Sequence, residues 1–595
     1  MAVTTGKQDV QHLGDVICRA YPRLTSPPKP IVEMPIIECV PNISEGRDRA
    51  KIDAIAAVVE TVEGVRLLDV DPGKATNRTV ITFVGEPGPV CEAAFRLVRK
   101  AQELIDMSAH HGEHPRFGAT DVCPLVPISG ITLEELVPYA HRLGERIGNE
   151  LGVPVYAYEA AAREEKRRNL AHNRAGEYEG LEKKLADPEW KPDFGPAAWN
   201  DSVRRSGATA VGARKVLIAY NINLNTASVR RANAIAFDLR ESGRAKREGG
   251  TLTGKLIKDE HGHPVMIPGK LKKVKGMGWF IQEYGVAQVS LNLNDIDVTP
   301  VHIAFDEACK SAASRGIRVT GSELVGLIPK QALLDAADFF LRRQQRSLGI
   351  PERDKVLIAV KSLGLDDLAP FDPRKKVIEY QLEDPAASPL VQLSLDRFTE
   401  ETARETPAPG GGSVAAIVGA MGIALGAMVA NLSANKRGWD DRWEEFSQWA
   451  VKAEEYRVRL LELVDEDTRA YEQIMQALQL PKHTPEEVAA RKAALHEATK
   501  GAILAPLETL RVCVASMEVA QAMARIGMPS SISDAGVGVM CARTGALAAY
   551  LNVRTNFKGF DDEEFRHTVM QEADGLKARA EAIEQEVMQA TLAKL

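Results

Sequence analysis

Residues 410–433 read GGGSVAAIVGAMGIALGAMVANLS, and from Ser413 to Ser433 no side chain is charged. Two folds compete for such a run. A lone membrane span needs about 20 strongly apolar residues, whereas Ala and Gly dominate here over Leu and Ile. Gly419, Gly422 and Gly426 let helix axes approach closely, in a membrane or in a soluble bundle. The flanks are helical in pattern and densely charged, as the outer helices of a bundle are. The segment is therefore expected to be the buried core helix of an all-α domain, with no membrane partner.

Working outward, no convincing period-two run appears from Ser394 to Leu595, and long amphipathic patterns follow one another. Upstream the pattern alternates. Ile36–Val40, Val65–Val70, Thr79–Val84, Asp121–Pro127 and Val153–Tyr158 read as strands between helical stretches. A polar, turn-rich stretch at 173–195 precedes a second alternating block, with strands near 216–222, 286–292 and 318–321. The expected architecture is two α/β (α+β) subdomains followed by an all-α helical bundle. Its boundaries are a disordered extension at 1–34, subdomains at 35–194 and 195–375, a linker at 376–392 and the helical domain at 393–595. Residues 246–270 read as an inserted hairpin rich in Gly and Lys.

Composition narrows the function. Lys and Arg total 75 against 82 Asp and Glu, a net charge of -7, so nucleic acid is not the expected partner. Seven scattered Cys without a CxxC pair fit a reducing, cytoplasmic setting rather than a disulfide framework.

The densest polar cluster is HHGEHPRFGATD, residues 110–121. A loop His beside Glu113 and Arg116 suits general acid–base work. A metal site and a purely structural polar loop are the rivals; the HExxH helix is absent, and Gly112 and Pro115 break any helical face. DVDPGKATNRT (69–79) places Asp71, Asn77 and Arg78 on a connection between strands, read as a binding loop or a capped turn. Gly410, Gly411 and Gly412 open a helix before Ser413. They admit close approach of an anion or flat ligand, or simply close helix packing. Leu460, Val464, Asp467, Tyr471 and Leu478 share one helical stripe, with Asp465 nearer its edge. A carboxylate on an apolar face must be paired or protonated, and burial raises its pKa. Ser533 or Asp534 reads as a helix N-cap, and Asn552 as a polar group on a later helical face. The lysines of GKLKKVKG (269–276) form a local basic patch, able to hold a polyanionic tail or to guard a sheet edge.

Taken in order, IECVPNISEGRD, LLDVDPGKATNRTV, IDMSAHHGEHPRFGATDVCPLVP, PVYAYE, NLAHNRAGEYEGL, DFGPAAW and GATAVGARKVLIAYNINL resemble glutamate formimidoyltransferases. LSLDRFTEETARETPAPGGGSVAA, LVDEDTRAY, LPKHTPEE and AYLNVRTN resemble formimidoyltetrahydrofolate cyclodeaminases. The order is that of the bifunctional formimidoyltransferase-cyclodeaminase family, and the likeness covers all but the first 34 residues.

The resemblance implies two reactions. Formiminoglutamate gives its formimino group to tetrahydrofolate, a polyglutamylated cosubstrate, and the product is then cyclised with loss of ammonia. Neither step requires a metal or redox cofactor. The resemblance assigns catalysis to His114 with Asp71 as its partner, and to Asp467 in the second domain. It assigns folate contacts to the segment from Gly195, Pro196 and Trp199 to Gly207, and to Asp238, Leu239 and Arg240. Glu113 is a second candidate to orient His114, and Arg78 or Arg116 to bind a substrate carboxylate. Gly410 to Ser413, Asp534 and Asn552 are placed at the second ligand. The helical domain is also similar to methenyltetrahydrofolate cyclohydrolases. The family forms homo-oligomers, here an expected octamer built as a tetramer of dimers. The segment at 195–207, the hairpin at 246–270 and the N-terminal extension depart from the family pattern.

Overall fold

The computed structural model describes residues 35–74, 76–112, 115–250, 254–383 and 388–595. The expected extension at 1–34, and both Glu113 and His114, lie outside them. The chain divides into two compact units, Met1–Leu217 and Ile218–Leu595.

The first unit is built on a seven-stranded sheet of β1 (Ile36–Cys39), β2 (Asn42–Ile43), β3 (Val65–Gly73), β4 (Arg78–Gly85), β5 (Thr120–Ser129), β6 (Val155–Glu159) and β7 (Thr209–Ala213). β3 and β4 form a hairpin, and β1 and β2 together lie between β4 and β5. β7 runs parallel to both β5 and β6. Helices α1 (Arg49–Ala57), α2 (Pro87–Leu104) and α3 (Leu133–Leu151) follow from apolar residues at helical spacing; α2 buries Val90, Ala94, Leu97, Val98 and Ala101. Their ends are chemically specified. Asp48 accepts from Ala50 and Lys51 N–H, Thr132 and Glu135 form a capping box, and Gly152 closes α3 in the left-handed conformation.

The first unit runs further than the expected boundary at 194. A short helix α4 (Asp201–Ser206) leads into β7, so residues 195–217 belong to the first unit. All five residues of β7 are buried, and a short Thr-Ala-Val-Gly-Ala run buried on both faces shows no period-two signal.

The second unit opens with a four-stranded antiparallel sheet in the order β11–β12–β8–β13, formed by β8 (Ile218–Leu224), β11 (Val274–Ile281), β12 (Val286–Leu293) and β13 (Val319–Val325). Helices α5 (Val229–Leu239) and α6 (Val301–Ala313) pack on it, and α7 (Lys330–Arg343) and α8 (Glu352–Leu363) pack together beyond. The insertion is a hairpin in which β9 (Arg244–Ala245) pairs with β10 (Met266–Ile267). The lysine patch runs into edge strand β11, and Lys270 is bound to Glu307 at 2.8 Å. The fold continues past 375: Val377 and Ile378 are buried and Val377 bridges to Ile328, so the expected linker begins inside folded structure.

The helical domain comprises α9 (Leu395–Thr402), α10 (Gly411–Ala434), α11 (Trp443–Gln479), α12 (Pro485–Ile526), α13 (Ile532–Asn556) and α14 (Glu563–Leu592). The uncharged segment forms α10, packed against α11, α12 and α13 with most of its residues buried. By length and composition alone this helix would also cross a membrane. Its glycines do what the sequence suggested. A Cβ on Gly422 would lie 2.7 Å from Ala542 N and Gly538 O, and one on Gly419 would lie 2.5 Å from Cys513 Sγ. Residues Ser347–Gly349 dock on this domain. Leu348 N–H donates to Ser447 Oγ at 2.9 Å, and Asn431 Nδ2 donates to Gly349 O at 2.8 Å.

Candidate functional site

In the first unit, the β3–β4 turn and the loop around residues 110–117 are fastened to each other. Asn77 adopts a left-handed φ of 50° in that turn. Its side chain accepts from Gly46 N–H at 3.0 Å and donates to His111 O at 2.9 Å. Its own carbonyl lies 2.9 Å from His110 Nε2. A Cβ on Gly112 would sit 2.3 Å from Thr76 O, and one on Gly46 would sit 2.4 Å from Gly73 O. Only glycine allows these approaches. The chain just before Glu113 and His114 is thereby held against the strand-end loop. Asp71 stands on β3 opposite Val80, two residues before that loop.

The other end of the loop is held by charge. Arg116 is buried, and its guanidinium makes a forked pair with Glu179 at 2.7 and 2.9 Å, with Glu177 at 3.3 Å. Hydrogen bonding to Glu179 raises its pKa above the usual arginine value. Its Nε also donates to His110 Nδ1 at 3.3 Å. Burial, with Arg116 alongside, lowers the His110 pKa, so this ring is neutral, with Nε2–H donating to Asn77 O. Asp121 is fully buried and accepts from Phe117 N–H, from Arg78 at 2.5 Å and from Arg174 at 2.5 and 3.2 Å. Burial alone would raise its pKa, but the two guanidiniums hold it below the usual carboxylate range. Both arginines expected to bind a substrate carboxylate are thus already engaged by acids of the protein.

The structure also brings the 195–207 segment here. Gly207 (φ 65°) bridges to Gly118, and a Cβ on it would lie 2.2 Å from Phe117 O. Ala119 N–H donates to Ser206 O at 2.7 Å, and Trp199 packs on Tyr178 with ring centroids 5.9 Å apart. Gly195 (φ 81°) crosses α3 at Gly148, and Pro196 follows it. A cavity of about 450 Å³ is lined by His111, Gly112, Arg116, Gly176, Glu177 and Glu179. Asp238, Leu239 and Arg240 end α5 in the other unit. There Asp238 is bound by Ser311 and Arg315, Leu239 is buried, and Arg240 lies over the Phe237 ring.

Sequence reasoning passed over Asp121, Arg174, Glu177 and Glu179. The signal for the last three lay in NRAGEYEG (173–180), where charged residues flank glycine turns. It also missed Asn221, Asn223 and Gln288, buried polar residues joined to Glu323 and Asp367 across the second sheet. Alternation along YNINLN would have exposed the first two.

The second site lies where α10 begins. Asp467 of α11 accepts from Ser413 N–H at 3.0 Å and from Ser413 Oγ at 3.4 Å. A Cβ on Gly412 would lie 2.0 Å from Asp467 Oδ1, and one on Gly411 would lie 3.4 Å from the Asn552 amide. Gly410, as N-cap, completes the approach. Among the described residues no cation pairs with Asp467. Burial raises its pKa, and the Ser413 bonds offset only part of that rise. The stripe reading needs two corrections. Asp465 is the more deeply buried carboxylate, accepting from Leu390 N–H at 3.0 Å and Val391 N–H at 3.4 Å, while Tyr471 and Leu478 face solvent. Asp534 does not cap α13, which starts at Ile532 after Ser531, and it lies about 27 Å along the axis from Asn552. Among the described residues no three His, Cys, Asp or Glu side chains gather as a metal set.

Comparison with known proteins matches both regions. The formiminotransferase domain, N-terminal subdomain, matches residues 36–214. The formiminotransferase domain matches 219–383, and formiminotransferase-cyclodeaminase matches 394–575. The chain is 42% identical to a formimidoyltransferase-cyclodeaminase of Sus scrofa, over 92% of this chain and 96% of that one. It is 40% identical to a glutamate formimidoyltransferase of Streptococcus pyogenes, over 52% of this chain and 93% of that one. It is 39% identical to a methenyltetrahydrofolate cyclohydrolase of Methylorubrum extorquens, over 34% of this chain and 97% of that one. With three family domains in sequence and a relative matched almost end to end, this chain belongs to the formimidoyltransferase-cyclodeaminase family.

Proposed function

We propose that the chain carries out two consecutive steps on one folate. The first two-thirds transfers the formimino group from N-formimino-L-glutamate to N5 of tetrahydrofolate. The helical domain closes the ring through N10, releases ammonia and leaves 5,10-methenyltetrahydrofolate. The observation that carries this reading is membership, along nearly the whole chain, of a family in which both parts occur together.

In the transfer, neutral His114 takes the proton as N5 attacks the amidine carbon and returns it to the departing glutamate nitrogen. Asp71 or Glu113 orients the ring. The bonds from Asn77, Arg116 and Asp121 hold the loop on either side of His114. Arg78 and Arg116 serve that frame rather than a substrate carboxylate. Ring closure is intramolecular, so holding N10 against the formimino carbon supplies much of the rate. As N10 bonds to the formimino carbon and sheds its proton, the amino group takes up a proton and leaves as ammonia, and Asp467, with its raised pKa, is the donor. The glycines beside it let the start of α10 approach the Asp467 carboxylate closely. Neither step needs a metal or redox cofactor.

The reading extends to a cytoplasmic homo-octamer, a tetramer of dimers, using polyglutamylated folate. Met421, Met428 and Leu432 on α10, with Val537, Met540 and Leu551 on α13, are exposed apolar side chains that suit contact with another copy. The six described cysteines are free thiols, in keeping with a reducing compartment.

The test mixes purified protein with formiminoglutamate and tetrahydrofolate and follows methenylfolate absorbance and ammonia together. Wild type should yield both, Asp467→Asn should stall at the formimino intermediate, and His114→Ala should yield neither. Methenylfolate hydrolysis without ammonia release would instead make the helical domain a cyclohydrolase. Silence from folded wild type would overturn the assignment.

A further inference from the structure

One buried cation of the first unit has no place in the frame described so far. Lys184 stands on the short helix Leu181–Leu185 and is 9% exposed, a rare position for a lysine. The Trp190 and Tyr156 ring centroids lie 4.2 and 5.9 Å from its Nζ. Among the described residues no carboxylate pairs with it. The charge acting on it is the Arg167 guanidinium, itself bound to Asp193 at 2.8 Å. Lys166 lies 5.4 Å from the Trp190 ring, and the His172 side chain is exposed. An ammonium taken out of water without an acid must find other acceptors. Lys184 uses all three of its donors on backbone: the carbonyl of Asn173 at 2.7 Å and those of His172 and Ala175 at 3.1 Å.

The segment gathered in this way leads straight into the residues that hold the catalytic loop. Arg174 binds Asp121 at 2.5 and 3.2 Å. Glu177 and Glu179 bind Arg116, and Tyr178 N–H donates to Arg116 O at 3.0 Å. Asp121 in turn accepts from Phe117 N–H. Each of these bonds reaches the chain just after His114. We propose that Lys184 is a positioning residue for the transfer step, its ammonium setting the 172–175 backbone so that Arg174, Glu177 and Glu179 fix the loop that carries His114. This role rests on the transferase reading above. It is also sensitive to pH. Burial, with Arg167 alongside, lowers the Lys184 pKa to about 8. The ammonium is therefore present at neutral pH and is lost as pH rises through that value. The neutral amine has two hydrogens for three carbonyls and turns a lone pair toward the third. The segment then loosens, and transfer falls on the alkaline side.

The full-length protein would be assayed for formimino transfer across the span of ordinary histidine and lysine pKa values, about 6.5 to 10.5. Ammonia release from supplied 5-formiminotetrahydrofolate is the control reaction. In wild type, kcat should fall through a midpoint near 8 with KM little changed. Lys184→Met should lower kcat on the order of tenfold at neutral pH, lack the alkaline fall and leave the control reaction intact. Lys184→Arg, whose charge persists across the range, should restore part of the neutral rate and hold it at high pH. Trp190 emission should change with the same midpoint in wild type and not in Trp190→Phe, a readout that needs no lysine variant to fold. A flat wild-type profile with unchanging Trp190 emission, or a folded Lys184→Met with wild-type kcat and pH profile, overturns this role alone. A wild type silent in transfer at every pH overturns the transferase reading and this role together.

Discussion

Asp121 and Asp467 are both carboxylates taken out of water, and the protein treats them in opposite ways. Asp121 is fully buried, receives two guanidiniums and a backbone N–H, and is held ionised. Asp467 receives the N–H and hydroxyl of Ser413 and no cation among the described residues, and burial pushes it toward the protonated form. The first is a fastener for the loop around His114. The second is, on the proposed mechanism, the proton donor of ring closure. The difference teaches that burial alone does not mark a catalytic acid; burial without a counter-charge does.

The largest expected effect comes from removing the Asp467 donor. Asp467→Asn should slow ring closure on the order of 10³-fold and leave transfer intact, read by stopped-flow absorbance with formimino intermediate accumulating. In wild type, closure should fall as pH rises through the Asp467 pKa, and the variant should lack that limb. Breaking the fastener comes next. Asp121→Asn leaves Arg78 and Arg174 without their shared anion, and the first unit should lose about 3–5 kcal/mol by denaturant unfolding. Closure of supplied intermediate should persist. The depressed pKa of Asp121 contributes stability that is present above the usual carboxylate pKa of about 4 and is lost as pH falls through its native value, so acid unfolding of the first unit should start later in wild type than in the variant.

Gly412→Ala probes placement without touching charge. Its Cβ would overlap the Asp467 carboxylate, and a displacement near 1 Å should cost roughly 10²-fold in closure. Ser413→Ala should be mildest, a few-fold at most, because the backbone N–H remains as a donor. Its signature is a pH limb moved upward, since one bond favouring the ionised form is gone.

Much of this pairing was legible in the sequence. Composition identified α10 as a core helix, and periodicity placed Asp467 on an apolar stripe. What the stripe could not rank was Asp465 against Asp467. Helical spacing assigns faces within one helix, whereas Asp465 is buried by Leu390 and Val391, about 75 residues away in sequence. The same limit governed Arg78 and Arg116. Each read as a free fork for substrate because its acid lies 43 or 63 residues onward. Asp534 and Asn552 were both expected at the second ligand, but a continuous helix keeps them apart.

The Ser347–Gly349 contact carries a consequence for how the two catalysts stay together. A Cβ on Gly349 would fall 2.0 Å from the Ala450 backbone, so the loop sits flush on α11. With Asn431 and Ser447 bonded to the same few residues, the helical domain has a grip on its neighbour that does not run through the peptide chain at 383–390. That grip is a non-covalent tie added to the covalent joint. A protease nick there, or expression of 1–383 and 388–595 as separate chains, should leave a pair that still travels as one particle.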